Sequence, residues 1–195
     1  MGTLKLDKQI RLRLQQLTGT VYYQFLGFTL NLEEDTIVDS FDSSAQKLTE
    51  ELAVKLIAPM FRHYTMGNPV PLVGRLVKFK DLPGGYAYEV AFINRAVKPL
   101  EQVFGTDPEL FFQAAELLGG KRLNLGSDVS VEILTLKGIP LTFILYVSDE
   151  FGAAANILYD ESAASFLHTE DLAVLGELTT LRLIEAKQKG LKNDV

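Results

Sequence analysis

The sequence predicts an α+β fold in a single domain, with a small, mostly antiparallel sheet covered by helices. Two apolar patterns lead to this class: spacing of three or four residues in some segments, which is typical of helices, and alternation in others, which is typical of strands. The chain has 195 residues, of which 47% are hydrophobic, so it is long enough to bury one sizeable core. We therefore expect residues 1–195 to form one domain.

A helix is expected first, and Gly19 marks its end. The alternation of apolar residues over 10–14 would also suit a strand, but the longer pattern favours the helix. The residues that set the helical spacing are Leu6, Ile10, Leu14 and Leu17.

Strands are predicted between residues 20 and 37, where apolar residues alternate on both sides of Gly27. A bulged pair is one form that such strands take, and the acidic turn at 33–35 closes them. Next, Ser43 and Gln46 have the spacing of a capping box. They predict a long helix over 44–64, which Pro59 should perturb.

The middle of the chain is expected to contain a loop at 67–71, a short strand over 76–79 and a turn at 82–85. The segment Leu82-Pro83-Gly84-Gly85 has Pro and Gly where a type II turn requires them, with Gly84 at positive φ. Beyond this turn, apolar spacing predicts a helix over 86–103.

The second half of the chain should hold two more helices and the clearest strands. Asp107 before Pro108 predicts a helix that Gly119-Gly120 ends, in a hairpin with the helix over 86–103. The last helix is expected over 170–188, with a frayed charged tail at 187–195. The strands predicted by alternation cover 129–133, 141–147 and 155–159.

Charge is distributed unevenly along this acidic chain, whose net charge is −6. No Lys or Arg lies between Lys137 and Arg182, and three adjacent carboxylate pairs lie there instead. Such pairs can attract a cation or a basic partner, and they also suit the solvent-exposed ends of strands and helices. The negative net charge argues against nonspecific binding to nucleic acid, because such binding depends on Lys and Arg that neutralise phosphates. The pairs are Asp149-Glu150, Asp160-Glu161 and Glu170-Asp171.

One hypothesis places a divalent cation on Asp149, Glu150 and Asp160, with His168 as a general base. The chain would then be a carboxylate-dependent, metal-assisted hydrolase or transferase. This hypothesis requires the carboxylate oxygens to lie within about 5 Å of one another, because hard cations sit about 2.0 to 2.6 Å from their ligands.

The competing interpretation gives the third acidic pair a structural role. Thr169 is expected to be the N-cap of the last helix, accepting a hydrogen bond from a backbone N–H of the first turn. Glu170 and Asp171 should then face solvent and interact favourably with the helix dipole. His63, near the end of the helix over 44–64, is interpreted as a dipole partner or a surface residue.

A second candidate site surrounds the glycine turn, where backbone N–H groups and the following helix could bind an anion. The spaced glycines of known phosphate-binding loops are absent, so a plain turn between strand and helix is the alternative. The candidate ligand-binding residues are Arg75, Lys78, Gly84, Gly85, Tyr86 and Arg95.

The absence of cysteine excludes several kinds of functional site. This chain can form no disulfide, no cysteine-ligated iron–sulfur cluster and no thiol nucleophile, and we expect it to hold no cofactor. Its longest apolar run, 139–147, is about half the ~20 residues of a membrane helix. The sequence therefore predicts a soluble, cytoplasmic protein without membrane association.

Several segments, clearest between residues 70 and 180, resemble a known family: 77–85, 91–96, 118–120, 146–151, 157–160 and 167–172. They are similar to the prokaryotic domain-of-unknown-function family numbered 3786. The resemblance implies anaerobic bacteria or archaea as the source and supplies no activity. Some members look like fusions to a cysteine-rich iron–sulfur segment, which implies an iron–sulfur protein as one candidate partner. Gly152, where a proline is expected, and Lys78, where a small polar residue is expected, depart from the family pattern.

We expect a non-catalytic ligand- or partner-binding module of anaerobic metabolism. The absence of cysteine, the presence of only two histidines and the lack of a nucleophile motif favour binding over catalysis, and we assign no catalytic residue. The partner would be a small molecule or a protein, and a homo-oligomer is equally compatible with the sequence. The metal-assisted hydrolase or transferase is the alternative.

Overall fold

The computed structural model describes residues 2–41, 51, 53–150 and 152–193. Within these residues, helices are combined with antiparallel strands that form two sheets. The predicted α+β class is confirmed. The structure adds that the N-terminal strands make a sheet of their own, separate from a larger, five-stranded sheet.

The small N-terminal sheet has the strand order β1-β4-β3-β2. Its predicted strands are confirmed, and Gly27 lies in the tight turn between β2 and β3, with Phe25 paired to Phe28 and no bulge. The predicted first helix, α1 (Lys8–Thr18), is also confirmed, since Asp7 caps its start and Gly19 its end. The strands are β1 (Gly2–Thr3), β2 (Tyr22–Phe25), β3 (Phe28–Asn31) and β4 (Thr36–Asp39).

A π turn, Ala53–Ile57, leads into α2, which spans Ala58–Met66. The turn ends two residues before Pro59, as expected where a proline cannot donate to the carbonyl four residues earlier. The predicted perturbation by Pro59 is therefore confirmed. The predicted helix start at Ser43 and Gln46 lies outside the described residues.

The same arrangement recurs in the middle of the chain. A 3₁₀ turn (Gly85–Tyr88), α3 (Glu89–Phe92), a π turn (Ile93–Val97) and α4 (Lys98–Phe104) follow one another without a break. We call this stretch, residues 85–104, the composite helix. Its π turn again ends two residues before a proline, Pro99, and the predicted helix over 86–103 is confirmed.

Helix α5 spans Pro108–Glu116, and Asp107 caps it by accepting the N–H of Leu110. The predicted start at Asp107 and Pro108 is confirmed. The rings of Phe104 and Phe111 lie 5.2 Å apart, so α5 packs against the end of the composite helix.

The larger sheet has the strand order β5-β9-β8-β7-β6 and is antiparallel throughout. Its central hairpins contain the strands that the sequence predicted most clearly. The loop before β5 and the short strand itself are confirmed as well. The strands are β5 (Leu76–Lys78), β6 (Lys121–Leu123), β7 (Val129–Leu136), β8 (Ile139–Asp149) and β9 (Gly152–Asp160).

The last helix, α6, spans Thr169–Asn193 and is longer than predicted. We expected the charged tail at 187–195 to be frayed, and this prediction is wrong for the residues up to Asn193, which are helical. Two lysines hold this part of the helix: Lys187 Nζ donates to the Val103 carbonyl at 3.1 Å, and Lys189 Nζ donates to the Ser40 carbonyl. The helix therefore contacts both the composite helix and the segment that follows the small sheet. One continuous hydrophobic core joins these elements.

Candidate functional site

A pocket of about 230 Å³ opens where the edge strand β5 ends. Strand β5 pairs with β9 only over Leu158–Asp160, so the earlier part of β9 has no strand beside it on that side within the described residues. The composite helix covers this gap incompletely and leaves the pocket between them. We call it the β9 pocket. Its lining comprises Lys78, Phe79, Lys80, Glu89, Phe92, Ile93, Val97, Glu101, Ala155, Asn156 and Ile157.

The floor of the β9 pocket is apolar and aromatic. The rings of Phe79 and Phe92 stack at 4.2 Å, and both lie near Tyr159. Burial, with a smaller contribution from the charge of Glu177, raises the pKa of Tyr159 well above its ordinary value. The Tyr159 hydroxyl donates to the Leu172 carbonyl at 2.8 Å and therefore fixes the floor to α6.

The rim of the β9 pocket is polar and carries charges of both signs. Glu101 accepts the N–H of the buried Ala155 at 3.0 Å and takes the place of the strand neighbour that this part of β9 lacks among the described residues. Lys80 lies 3.8 Å from Glu89. Among the described residues, the side chains of Lys78 and Asn156 have no hydrogen-bond or ion-pair partner. One cation and one amide at the rim are thus available to a ligand.

The structure does not gather the six residues of the predicted anion site. Lys78 lines the β9 pocket, whereas Arg75 binds the carboxylate of Glu161 through two nitrogens, with Nε at 2.7 Å. Arg95 lies 3.7 Å from Glu177. Burial raises the pKa of Glu177, and Arg95 opposes this rise only partly.

The predicted type II turn is confirmed. Gly84 has φ 77° and ψ −1°, and the N–H of Gly85 donates to the Leu82 carbonyl at 2.9 Å. Gly85 has no room for a side chain, because a Cβ would meet the Phe79 carbonyl. Tyr86 is 80% exposed and points away from the core. The geometry of the turn is therefore that of a plain connection between strand and helix.

Asp160, one of the three predicted cation ligands, has a structural role. It is 3% exposed and accepts the N–H of Val73 and of Gly74 at 3.0 and 2.7 Å. It also accepts the N–H and the hydroxyl of Ser162 at 2.9 and 2.5 Å. These bonds occupy its oxygens and fasten the loop before β5 to the end of β9.

The three carboxylates of the cation hypothesis are not brought together. Asp149 pairs with Gly152 at one end of the β8–β9 hairpin, and Asp160 lies at the other end of β9. Eight residues of strand separate the two ends by about 26 Å. Glu150 is exposed in the hairpin turn, and the side chain of Asp149 lies outside the described part of the structure. The carboxylate-only metal site therefore does not form.

The predicted N-cap at Thr169 is wrong. Helix α6 already includes Thr169, and the N–H of Leu172 donates to the His168 carbonyl at 3.0 Å. The Thr169 hydroxyl donates instead to the Pro83 carbonyl at 2.5 Å, because the type II turn packs against the start of the helix. Glu170 is exposed as expected.

Asp171 is buried, against expectation, and binds a histidine. Each of its carboxylate oxygens lies 2.9 Å from Nδ1 of His63 in α2, which must donate because a carboxylate only accepts. The ring of His168 lies 5.8 Å from that of His63 at an interplanar angle of 75°. The two histidines of the chain, far apart in sequence, thus form one cluster.

Sequence reasoning missed two features: the polar residues Glu101 and Asn156 of the β9 pocket, and the contact between His63 and Asp171. Glu101 and Asn156 carry no motif, although Asn156 is the one polar residue of the predicted strand over 155–159. The contact of His63 with Asp171 joins α2 to α6 and leaves no trace in local spacing. The scarcity of histidine was the only available signal.

Comparison with known families agrees with the resemblance seen in the sequence. A family model described as a domain of unknown function, DUF3786, matches residues 5–182. The chain belongs to this family. The match includes the whole larger sheet, the β9 pocket and both histidines. No curated protein and no solved structure matches the chain.

Membrane spans and ready-made metal sites are both missing from the described residues. None of the helices in this part of the chain is both long and apolar enough to cross a membrane. The same residues contain no group of three or more His, Cys, Asp or Glu side chains placed to hold a metal ion.

Proposed function

We propose that this chain is a non-catalytic ligand-binding module and that the β9 pocket binds a small organic anion with an apolar tail. One observation carries the proposal: the pocket combines a lysine that has no partner among the described residues, Lys78, with a floor of buried aromatic and aliphatic side chains. Pockets that take small molecules have this composition, an apolar lining with a few polar groups that fix orientation.

The chemistry of the rim selects the anionic group. A carboxylate can accept from the ammonium of Lys78 and from the amide of Asn156 at the same time. Glu101 and Glu89 oppose a second negative charge, so a monoanion fits better than a dianion. The hydrocarbon part of the ligand would then cover Phe92 and Ile157. Hydrogen bonds to a charged group contribute about 1.5–3 kcal/mol.

Three broader expectations stay predictions. Anaerobic metabolism as the setting and an iron–sulfur protein as partner both follow from the family resemblance. A cytoplasmic location is expected from the sequence alone.

The proposal is tested by isothermal titration calorimetry with hexanoate and, as an uncharged control, hexanamide. We expect hexanoate to bind more tightly, and Lys78→Ala to weaken its binding at least about tenfold, which corresponds to 1.4 kcal/mol. Lys121→Ala is the matched control, because Lys121 lies on β6 at the opposite edge of the sheet. Equal binding of acid and amide, or equal affinity in both lysine variants, would refute the proposal.

A further inference from the structure

Three nitrogen and sulfur donors line a second pocket, of about 220 Å³, between α2 and the segment before α6. His63 and Met66 are three residues apart on α2 and so lie on the same side of that helix. His168, the residue directly before α6, also lines the pocket. The Met66 side chain is 74% exposed, so an ion could reach it from solvent. We call this the histidine pocket.

Asp171 orients the first donor. Because Nδ1 of His63 donates to the Asp171 carboxylate, the neutral ring presents an unprotonated Nε2 with a free lone pair. Histidines that bind metal ions almost always donate their other N–H in this way, often to a carboxylate. The arrangement of His63 and Asp171 thus prepares His63 as a ligand.

The separation of the two rings fits a shared ion. Two imidazoles bound to one ion at about 2.0–2.1 Å per bond have ring centres about 5–6 Å apart. The observed distance between the rings of His63 and His168 is 5.8 Å. Neither nitrogen of His168 has a hydrogen-bond partner among the described residues.

The third donor decides which metal is expected. The described residues contain no group of three His, Cys, Asp or Glu side chains placed to hold a metal ion, so an ion shared by the two histidines would need a third donor of another residue type. The thioether of Met66 is the one that lines the pocket, and thioether ligands select Cu(I) over harder cations.

We propose that the histidine pocket binds Cu(I) through Nε2 of His63, the imidazole of His168 and the thioether of Met66. Asp171 is a positioning residue, because it touches His63 and not the ion. This site is independent of the β9 pocket and departs from the expectation that the chain holds no cofactor.

The test is a competition for Cu(I) between the full chain and bicinchoninate, whose Cu(I) complex is coloured, under anaerobic reducing conditions. We expect one equivalent of Cu(I) to move to the protein. Met66→Leu and His168→Gln should each weaken binding at least tenfold, and both residues are exposed, so the fold is kept. Asp171→Asn should weaken binding about 10–100-fold, with circular dichroism to verify folding.

Zinc supplies the control for the donor assignment. Zn²⁺ prefers nitrogen over a thioether, so any weak binding of Zn²⁺ should be the same in Met66→Leu and in the native chain. No transfer of Cu(I) from bicinchoninate to the native chain would overturn the proposal. So would transfer that is unchanged in both Met66→Leu and His168→Gln.

Discussion

Arg182 of α6 forms a two-point ion pair with Asp39 of β4, with N–O distances of 2.8 and 2.7 Å. Its guanidinium lies between the rings of Phe28 and Phe41, at 4.0 and 4.4 Å from their centroids. Its Nε donates to the Leu26 carbonyl at 2.8 Å, and the side chain is 1% exposed. A buried cation therefore joins the last helix to the small N-terminal sheet.

Removing this cation should destabilise the protein strongly. Arg182→Met removes the guanidinium that binds the carboxylates of both Asp39 and Glu185, and breaking such a buried ion pair costs about 3–5 kcal/mol. Urea unfolding measures the loss. In the double variant Asp39→Asn/Arg182→Met, part of the stability should return, because no charged carboxylate at position 39 then has to stay buried away from the guanidinium. If the double variant loses the sum of the two single losses, the two residues are not coupled.

Acid titration should reveal the role of Asp160. Burial alone would raise the pKa of this carboxyl, but hydrogen bonds from Ser162, Val73 and Gly74 outweigh burial and lower the pKa below its ordinary value. A carboxylate with a lowered folded-state pKa stabilises the fold above the unfolded pKa, near 3.9. This contribution is lost as the pH falls through the folded value.

The matching variant is Asp160→Asn, with the exposed Asp81→Asn as control. The amide would direct an N–H₂ group at N–H donors, so we expect a loss of about 1.5–3 kcal/mol at pH 7. Urea unfolding at pH 7, 5 and 3 should show the difference from the native chain shrinking below about pH 4. A difference that is constant over this range would contradict the assignment.

Gly176 of α6 should resist substitution. A Cβ at this position would lie 2.6 Å from Tyr159 Oη and 2.7 Å from Phe92 Cε2, so the floor of the β9 pocket would have to move. We expect Gly176→Ala to cost about 1–3 kcal/mol. Gly190→Ala, in the same helix with open space around it, should instead be neutral or stabilising by about 0.4–1 kcal/mol. Thermal unfolding measures the change in Tm for both variants, and equal changes would show that the close approach at Gly176 has no energetic cost.

Gly84 provides a test of backbone strain alone, since a methyl group at this position would have nothing within 4 Å of it. Gly84→Ala should cost about 1 kcal/mol because its φ of 77° is unfavourable for alanine. Gly84→Asn should cost less, because asparagine tolerates this region better. Chemical denaturation measures both losses, and an equal or larger loss for asparagine would argue against strain.

Local signals in the sequence were sufficient to predict most helices and strands of the fold. The apolar spacing that ends at Gly19, the cap at Asp107, the Pro83-Gly84 turn and the alternation in β7 to β9 depend on neighbouring residues, and each led to a correct element. The division into two sheets was not predictable in this way. Strand partners are chosen by packing between distant segments, which residue spacing does not record.

The candidate site shows the same limit more strongly. Lys78 was identified because it is basic and near a glycine turn, but its companions Glu101 and Asn156 come from other elements. Asp171 looked like a solvent-exposed acid of a first helical turn, a position that is favourable by itself. Its burial follows from the position of His63 on α2, which only the assembled fold reveals.

The π turn of the composite helix has a consequence for the direction in which its side chains point. Four buried residues, Phe92, Ala96, Leu100 and Phe104, follow one another at strict intervals of four. In an uninterrupted α-helix, each interval of four overshoots a full turn by about 40°, so the series would rotate by about 120° from first to last. The wider turn absorbs part of this rotation and lets a four-residue repeat keep its phase along one side of the helix. An apolar pattern whose period exceeds 3.6 residues can therefore indicate a π turn in a helical segment.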